Sequence, residues 1–352
     1  MRAATAVLVS LIWPAGLLAQ QTERYSLAGD EVAIYNLAGQ VRVEPSQSGV
    51  VIQLTRGGSD AGQLRIAQGE LDGRQTLRVI YPADQIVYSP SGRNSSTQLR
   101  VHEDGTFGDD EHSWNHHERG RRVSITGSGG GLEAHADLRV QVPRGQRVCV
   151  YLAVGAVTVT NVDGELHVDA HSASVNATGV RGDMNLDVGS GSVGVTGAEG
   201  DLHVDTGSGP VEVARFQGRR LLIDTGSGEV TGSELQAKEL SIDTGSGDIK
   251  LTGVAASSLA LETGSGSVTA DIRTDFQSLN VETGSGDVAI KAPPTLGAEI
   301  QIETSNGDIE SDFPMLVTER APDHVTGRIG DGRGRIAIET GSGEIRLLKN
   351  SN

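Results

Sequence analysis

The chain has 352 residues, a formal charge of −17, 48 glycines and only 3% aromatic residues. Glycine stands at about twice its usual ~7% share, which points to many tight turns around a core of aliphatic and small side chains. No basic footprint is present, so nucleic acid is excluded as a partner, while an acidic surface favours solubility and attracts cations.

At the N-terminus, MRAATAVLVSLIWPAGLLAQ has one Arg, an apolar stretch and Ala19 at a cleavage point. That is the form of a secretory signal peptide, and residues 1–19 are expected to be removed on export to the periplasm, the cell surface or the medium. No later run reaches the ~18 apolar residues of a membrane span, so no integral membrane segment is expected after cleavage. Cys149 is the single cysteine, which rules out an intrachain disulfide. Its setting, RVCVYLAV, alternates like a strand and suits a buried small hydrophobe.

Residues 20–83 read as a β-rich N-terminal cap region. EVAIYNLAGQVRVEP (31–45) has the pattern of one coil with a polar turn, and VVIQLTR, QLRIAQ and QTLRVIYP read as strands. Residues 84–120 are polar and charged, and an exposed insertion is expected there. RRVSITG and ADLRVQVP supply connecting strands within 121–150.

Residues 151–350 are organised by a repeat: LHVDTGSGPVEV, LLIDTGSGEVTG, LSIDTGSGDIKL, LALETGSGSVTA, LNVETGSGDVAI, IQIETSNGDIES and IAIETGSGEIRL among others. The first turn glycine falls at 189, 207, 226, 245, 264 and 284, is replaced by Ser305, and returns at 341 after an insertion at about 312–334. Positions five and three before this marker are always apolar, and the residue between them varies freely. Period-two alternation of this kind is a strand with one buried face. An apolar column resumes four residues after the marker, and a third one runs Val162, Val180, Ala198, Phe216, Leu235, Val254. One unit of about 19 residues cannot bury its own apolar face, whereas stacked units can. The expected fold is all-β: a right-handed β-solenoid of ~19-residue coils with a less regular β-rich N-terminal part.

Signal peptide, short strand repeats and serial [DE]-T-G-S-G-[DES]-[VI] turns together resemble the bacterial putative-adhesin family of β-strand-repeat envelope proteins, a domain of unknown function. The resemblance covers roughly residues 30–350, implies a β-solenoid, and transfers no catalytic motif.

Asp-Thr-Gly-Ser at Asp205, Asp224 and Asp243 matches the motif of aspartic proteases. Such a protease needs two carboxylates from separate lobes sharing a proton. Copies 19 residues apart cannot supply that, and the same column continues as Glu262, Glu282, Glu303 and Glu339. The structural reading is a corner: Thr inward or capping, Gly for positive φ or close approach, Asp accepting turn amides. The acids then form an outward ladder with rungs ~4.8 Å apart, and like charges so placed repel. Glu229, Asp248, Asp287, Asp308 and Glu344 form a second set. Calcium is the cation such oxygens would take, with Asp205, Asp224, Asp243, Asp248, Asp287 and Asp308 as candidate ligands. His112 and His116, four apart in a loop rich in His and acids, are candidate transition-metal ligands. No catalytic triad, phosphate loop or zinc signature is found, and neither a catalytic residue nor a cofactor is expected beyond calcium.

The function expected is therefore an exported non-enzymatic binding or scaffold protein with a surface or envelope ligand. A calcium-stabilised scaffold and a carbohydrate-active β-helix enzyme are the alternatives. Strand edges at the solenoid ends invite self-association unless covered.

Overall fold

The computed structural model describes residues 22–108, 120–321 and 323–350. The fold is all-β: among the described residues the helical segments are two short 3₁₀ turns, Ala61–Gln63 and Ser89–Ser91.

Repeats pair in parallel with one another and in register. The inward column Leu166, Met184, Leu202, Leu221, Leu240, Leu259, Leu279 runs rung to rung and is buried throughout. The column from Val162 to Val254 is buried as well. Its rungs are tied by the bridges Asp163↔Arg181, Arg181↔Glu199 and Glu199↔Gln217. Each repeat thus contributes two ladders and a return segment, all delivering apolar side chains to one interior.

The order of the stack departs from the order of the sequence at both ends. The stack expected from residue 151 begins at Glu31–Pro45, which pairs in parallel with Gln146–Thr160. The chain leaves after this first coil, builds the N-terminal end, and returns. At the far end Gly334–Thr340 pairs with Ser278–Thr283 on one side and Ala298–Thr304 on the other. The last repeat in sequence is therefore next to last in the stack, and 298–311 is outermost.

Both terminal coils are covered. Glu31–Pro45 is flanked by Arg74–Ile80 and His135–Val142, which take the antiparallel partners Arg65–Leu71 and Val50–Gly57; Thr22–Leu27 pairs with the latter. Ala298–Thr304 takes His324–Ile329, which in turn takes Met315–Arg320, both antiparallel. The expected open edges of the stack are thus largely closed, and among the described residues Ile309–Ser311, which pairs with Ile345–Lys349 alone, keeps a short open edge.

Neither insertion is simply exposed. Within 84–120, Gln85–Val87 and Ser96–Val101 join the connecting strand Arg121–Thr126 in a three-stranded sheet, with Ile86, Tyr88, Leu99, Val101 and Phe107 buried. Residues 109–119 lie outside the described residues. Within 312–334, Phe313, Val325 and Ile329 are buried. Leu316 is 66% exposed on the edge strand of that hairpin.

Two backbone features explain the glycines. Asn161, Gly179, Gly197, Arg215, Glu234 and Gly253 all have φ between 52° and 73° and occupy equivalent places in successive coils. This left-handed corner is distinct from Gly-Ser-Gly and went unread in the sequence. At Gly-Ser-Gly itself, close approach is what matters in the later coils. A Cβ on Gly245 would lie 2.4 Å from the Gly226 carbonyl oxygen, and one on Gly247 would lie 1.8 Å from that of Gly228.

Candidate functional site: the acidic ladder and its corners

The Thr of each Asp-Thr-Gly-Ser corner points inward, as alternation requires. Thr244 Oγ1 accepts from Gly247 N at 3.1 Å and donates to the Gly228 carbonyl of the preceding coil at 3.2 Å. Thr263 and Thr283 repeat both bonds with Gly266 and Gly247, and with Gly286 and Gly266. The hydroxyl therefore fixes its own corner and pins it to the one before. Thr206 stands where this system begins: it is 1% exposed and its hydroxyl has no partner among the described residues. Its neighbour in the preceding rung is Val188.

Thr244→Val removes an acceptor and a donor from buried backbone groups and is expected to cost about 2–3 kcal/mol. Thr206→Val removes an unpaired buried hydroxyl and is expected to be neutral or stabilising by up to ~1 kcal/mol. Denaturant melts of both variants check this; equal losses would contradict the corner assignment.

Asp205, Asp224 and Asp243 lie in one exposed column, in register with Glu262 and Glu282. Next comes Glu339, and Glu303 is the end rung, a reversal of their sequence order. The ladder also has a rung the sequence reading missed. Asp169 precedes Asp187, is 8% exposed, and lies 4.0 Å from His171 Nδ1. Its signal was its place in the degenerate copy VDAHSASVNA. Beyond Asp169 the column continues as Tyr151 and Tyr35, whose rings stack at 4.3 Å with Phe107 edge-on to Tyr35.

The carboxylates tolerate one another partly through neighbouring amides. Asn280 Nδ2 donates to Glu282 at 3.2 Å and Gln301 Nε2 to Glu303 at 2.9 Å. His324 Nδ1 of the terminal hairpin lies 3.1 Å from Glu303. Glu262 remains under strain: partial burial first, then Glu282 and Asp243, hold its carboxyl above the usual range. The folded state thus binds this proton more tightly than the unfolded state. The associated penalty is absent below the unfolded value of about 4.3 and full above the raised folded value. Glu262→Gln is expected to stabilise by a few tenths of a kcal/mol at pH 7 in low salt, and the gain should vanish near pH 4. Melts at the two pH values check the sign; a gain that is larger at pH 4 would refute it.

Asp248, Asp287 and Asp308 belong to the second acidic column, beyond the corner. Asp248 Oδ1 accepts from Ser267 N at 3.0 Å, and Asp287 Oδ1 from Glu344 N at 2.9 Å, so these acids tie one coil to the next. Lys250 bridges Glu229 and Asp248 at 2.7 and 3.1 Å. The backbone bond to Ser267, then Lys250, holds the Asp248 carboxyl below its usual range. Asp308 is exposed. His112 and His116 lie outside the described residues. Among the described residues no three His, Cys, Asp or Glu side chains are grouped to hold a metal ion. Cys149 is buried, and that burial pushes its thiol up to about 11.

Beside the ladder runs a groove of about 470 Å³, lined along successive rungs by His167, Asn185 and His203, with Arg147 and Arg220 toward its ends. Arg147 is held by Glu165 and Glu31 at 2.6 and 3.3 Å.

The Toastrack DUF4097 family model matches residues 85–348, three quarters of the chain. The chain belongs to the Toastrack DUF4097 family. The Toastrack match takes in the three-stranded sheet as well as the repeats, and it starts after the first coil, Glu31–Pro45. The resemblance read from the repeats holds at this level. The Toastrack family is one of unknown function, so membership names no catalytic residue. No curated protein matches the chain. A solved structure described as a "putative cell adhesion protein" from Clostridium sporogenes is 10% identical, with 94% of this chain and 99% of that one covered, at a TM-score of 0.20. A likeness that slight carries no argument.

Proposed function

We propose that this Toastrack chain is an exported, non-enzymatic, right-handed β-solenoid that binds or organises surface material at the cell envelope. The observation that carries the reading is the parallel stack of repeats that meets antiparallel strands at both ends. A stack so closed is a rigid platform with a long polar outer face rather than a filament subunit. The signal-peptide pattern supports export, and no helix among the described residues is long and apolar enough to cross a membrane. Against catalysis stands the placement of the Asp-Thr-Gly-Ser acids in one exposed column, with Thr225 and Thr244 accepting from the amides of Gly228 and Gly247 in their own corners.

The test is binding of the mature chain to isolated envelope fractions and a glycan array. Saturable binding that survives replacement of Asp205, Asp224 and Asp243 together by Asn is expected. Binding no better than that of an unrelated protein of equal charge, or hydrolysis lost in the triple variant, would overturn the reading.

The calcium-stabilised scaffold is the second reading, favoured by the repulsion visible at Glu262. Melts with calcium, against sodium chloride of equal ionic strength, separate the two. A platform without a specific cation site gives the same midpoint in both.

A further inference from the structure

Where the three-stranded sheet meets the stack, a cleft of about 560 Å³ opens. It is set apart from the rest of this acidic molecule by its lining, which holds no charged side chain. Hydroxyls face it from both walls: Tyr88, Ser91, Ser95 and Thr97 from the sheet, Ser172 and Ser190 from the stack. They form two short chains. Ser190 and Ser172 are 3.2 Å apart, and Thr97 Oγ1 donates to Ser172 at 2.8 Å. Ser95 and Ser91 are 2.6 Å apart, and Ser91 donates to the Tyr88 carbonyl at 2.7 Å.

Tyr88 is the distinguishing group. It is 4% exposed, its ring stands edge-on to His135 at 5.3 Å, and its hydroxyl takes part in no hydrogen bond among the described residues. The hydroxyl is not sealed off like that of Thr206, so it is the part of Tyr88 open to whatever occupies the cleft.

This lining selects by exclusion. An ionic ligand would lose hydration and find no counter-charge. A hydrocarbon ligand would strand the hydroxyls. A neutral molecule rich in hydroxyls satisfies both demands, and the volume lies within the range of small-ligand sites. We propose that this cleft binds a neutral saccharide of one or two rings, with the Tyr88 hydroxyl meeting a sugar hydroxyl. The Ser172–Ser190 wall contacts the opposite side of the ring. This rests on the binding reading above, and the two can fail separately.

The test is calorimetric titration of the mature full-length chain with cellobiose, maltose, lactose and N,N′-diacetylchitobiose. Digalacturonate serves as the charged control and a Gly-Ser-Asn tripeptide as the peptide control. The same sugars immobilised on a surface distinguish a free sugar from a glycan terminus. At least one neutral disaccharide is expected to bind. Tyr88→Phe, which keeps the ring, should weaken it at least tenfold with an unchanged melting midpoint. Ser190→Asp, at an exposed position on the rim, should abolish binding and covers the case of a poorly folded Tyr88 variant. Three results would overturn the proposal: no neutral saccharide binds, either control binds as well, or a folded variant binds like the wild type. Envelope binding that survives both substitutions would sink the cleft and leave the platform reading standing.

Discussion

Gly247→Ala is expected to destabilise the protein by about 3 kcal/mol or more and to lower its melting midpoint by about 5 °C or more. The added methyl would sit 1.8 Å from the Gly228 carbonyl oxygen and 3.0 Å from the Glu229 backbone nitrogen, and that carbonyl is held in place as the acceptor for Thr244. Backbone rather than a flexible side chain is in the way, so two coils must separate locally and the Thr244 clamp opens with them. Gly62→Ala is the control: nothing lies within 4 Å of its Cβ, and a change within ±0.5 kcal/mol is expected there. Calorimetric melts of the two variants decide the matter. Equal effects would mean that Gly-Ser-Gly is a turn sequence and not a stacking contact.

Deletion of residues 293–329 is expected to leave a folded stack that self-associates. The deletion joins Ala292 to Gly330 and leaves five residues, 330–334, before Arg335, as many as the five of 273–277 before its register partner Ser278. It removes 37 residues and brings the Gly284-to-Gly341 spacing from 57 to 20, within the 18–21 of the other repeats. The final repeat already pairs with 278–292, so it keeps its place. Its outer edge, however, loses both Ala298–Thr304 and Ile309–Ser311. An uncovered parallel edge is a template for another chain. Circular dichroism should remain β-rich, while light scattering at micromolar concentration should show larger species than the full chain forms at the same concentration. Loss of β structure would show that 298–329 is integral rather than a cover.

The repeat itself was legible because its signal is local. Leu221 and Ile223 flank a variable residue in every copy, and that alternation alone places them inside. The outward acids and the inward Thr followed from the same parity. Stacking order was not legible, because 300–302 and 336–338 carry the same apolar pair and either could lie on 279–281. What decides is His324–Ile329, which pairs with Ala298–Thr304 and makes that coil the outer one. The relief of the ladder went unread although it is local: Asn280 and Gln301 stand in the column that varies freely, two residues before Glu282 and Glu303 on the same face of the same strand. The hydroxyl-lined cleft joins Tyr88 to Ser190 across a hundred residues, with no motif to announce it.

The most direct test of the stack is a pair of double-cysteine variants. Ala337 is in register with Asn280 on one side and Gln301 on the other, so Asn280→Cys with Ala337→Cys brings together adjacent rungs. Adjacent strands lie ~4.8 Å apart, within disulfide reach, and alternate rungs do not. Under mild oxidation the 280/337 pair is expected to close and 280/301 to stay open. Closure of 280/301 with 280/337 open would mean that the repeats stack in sequence order, and would contradict the account.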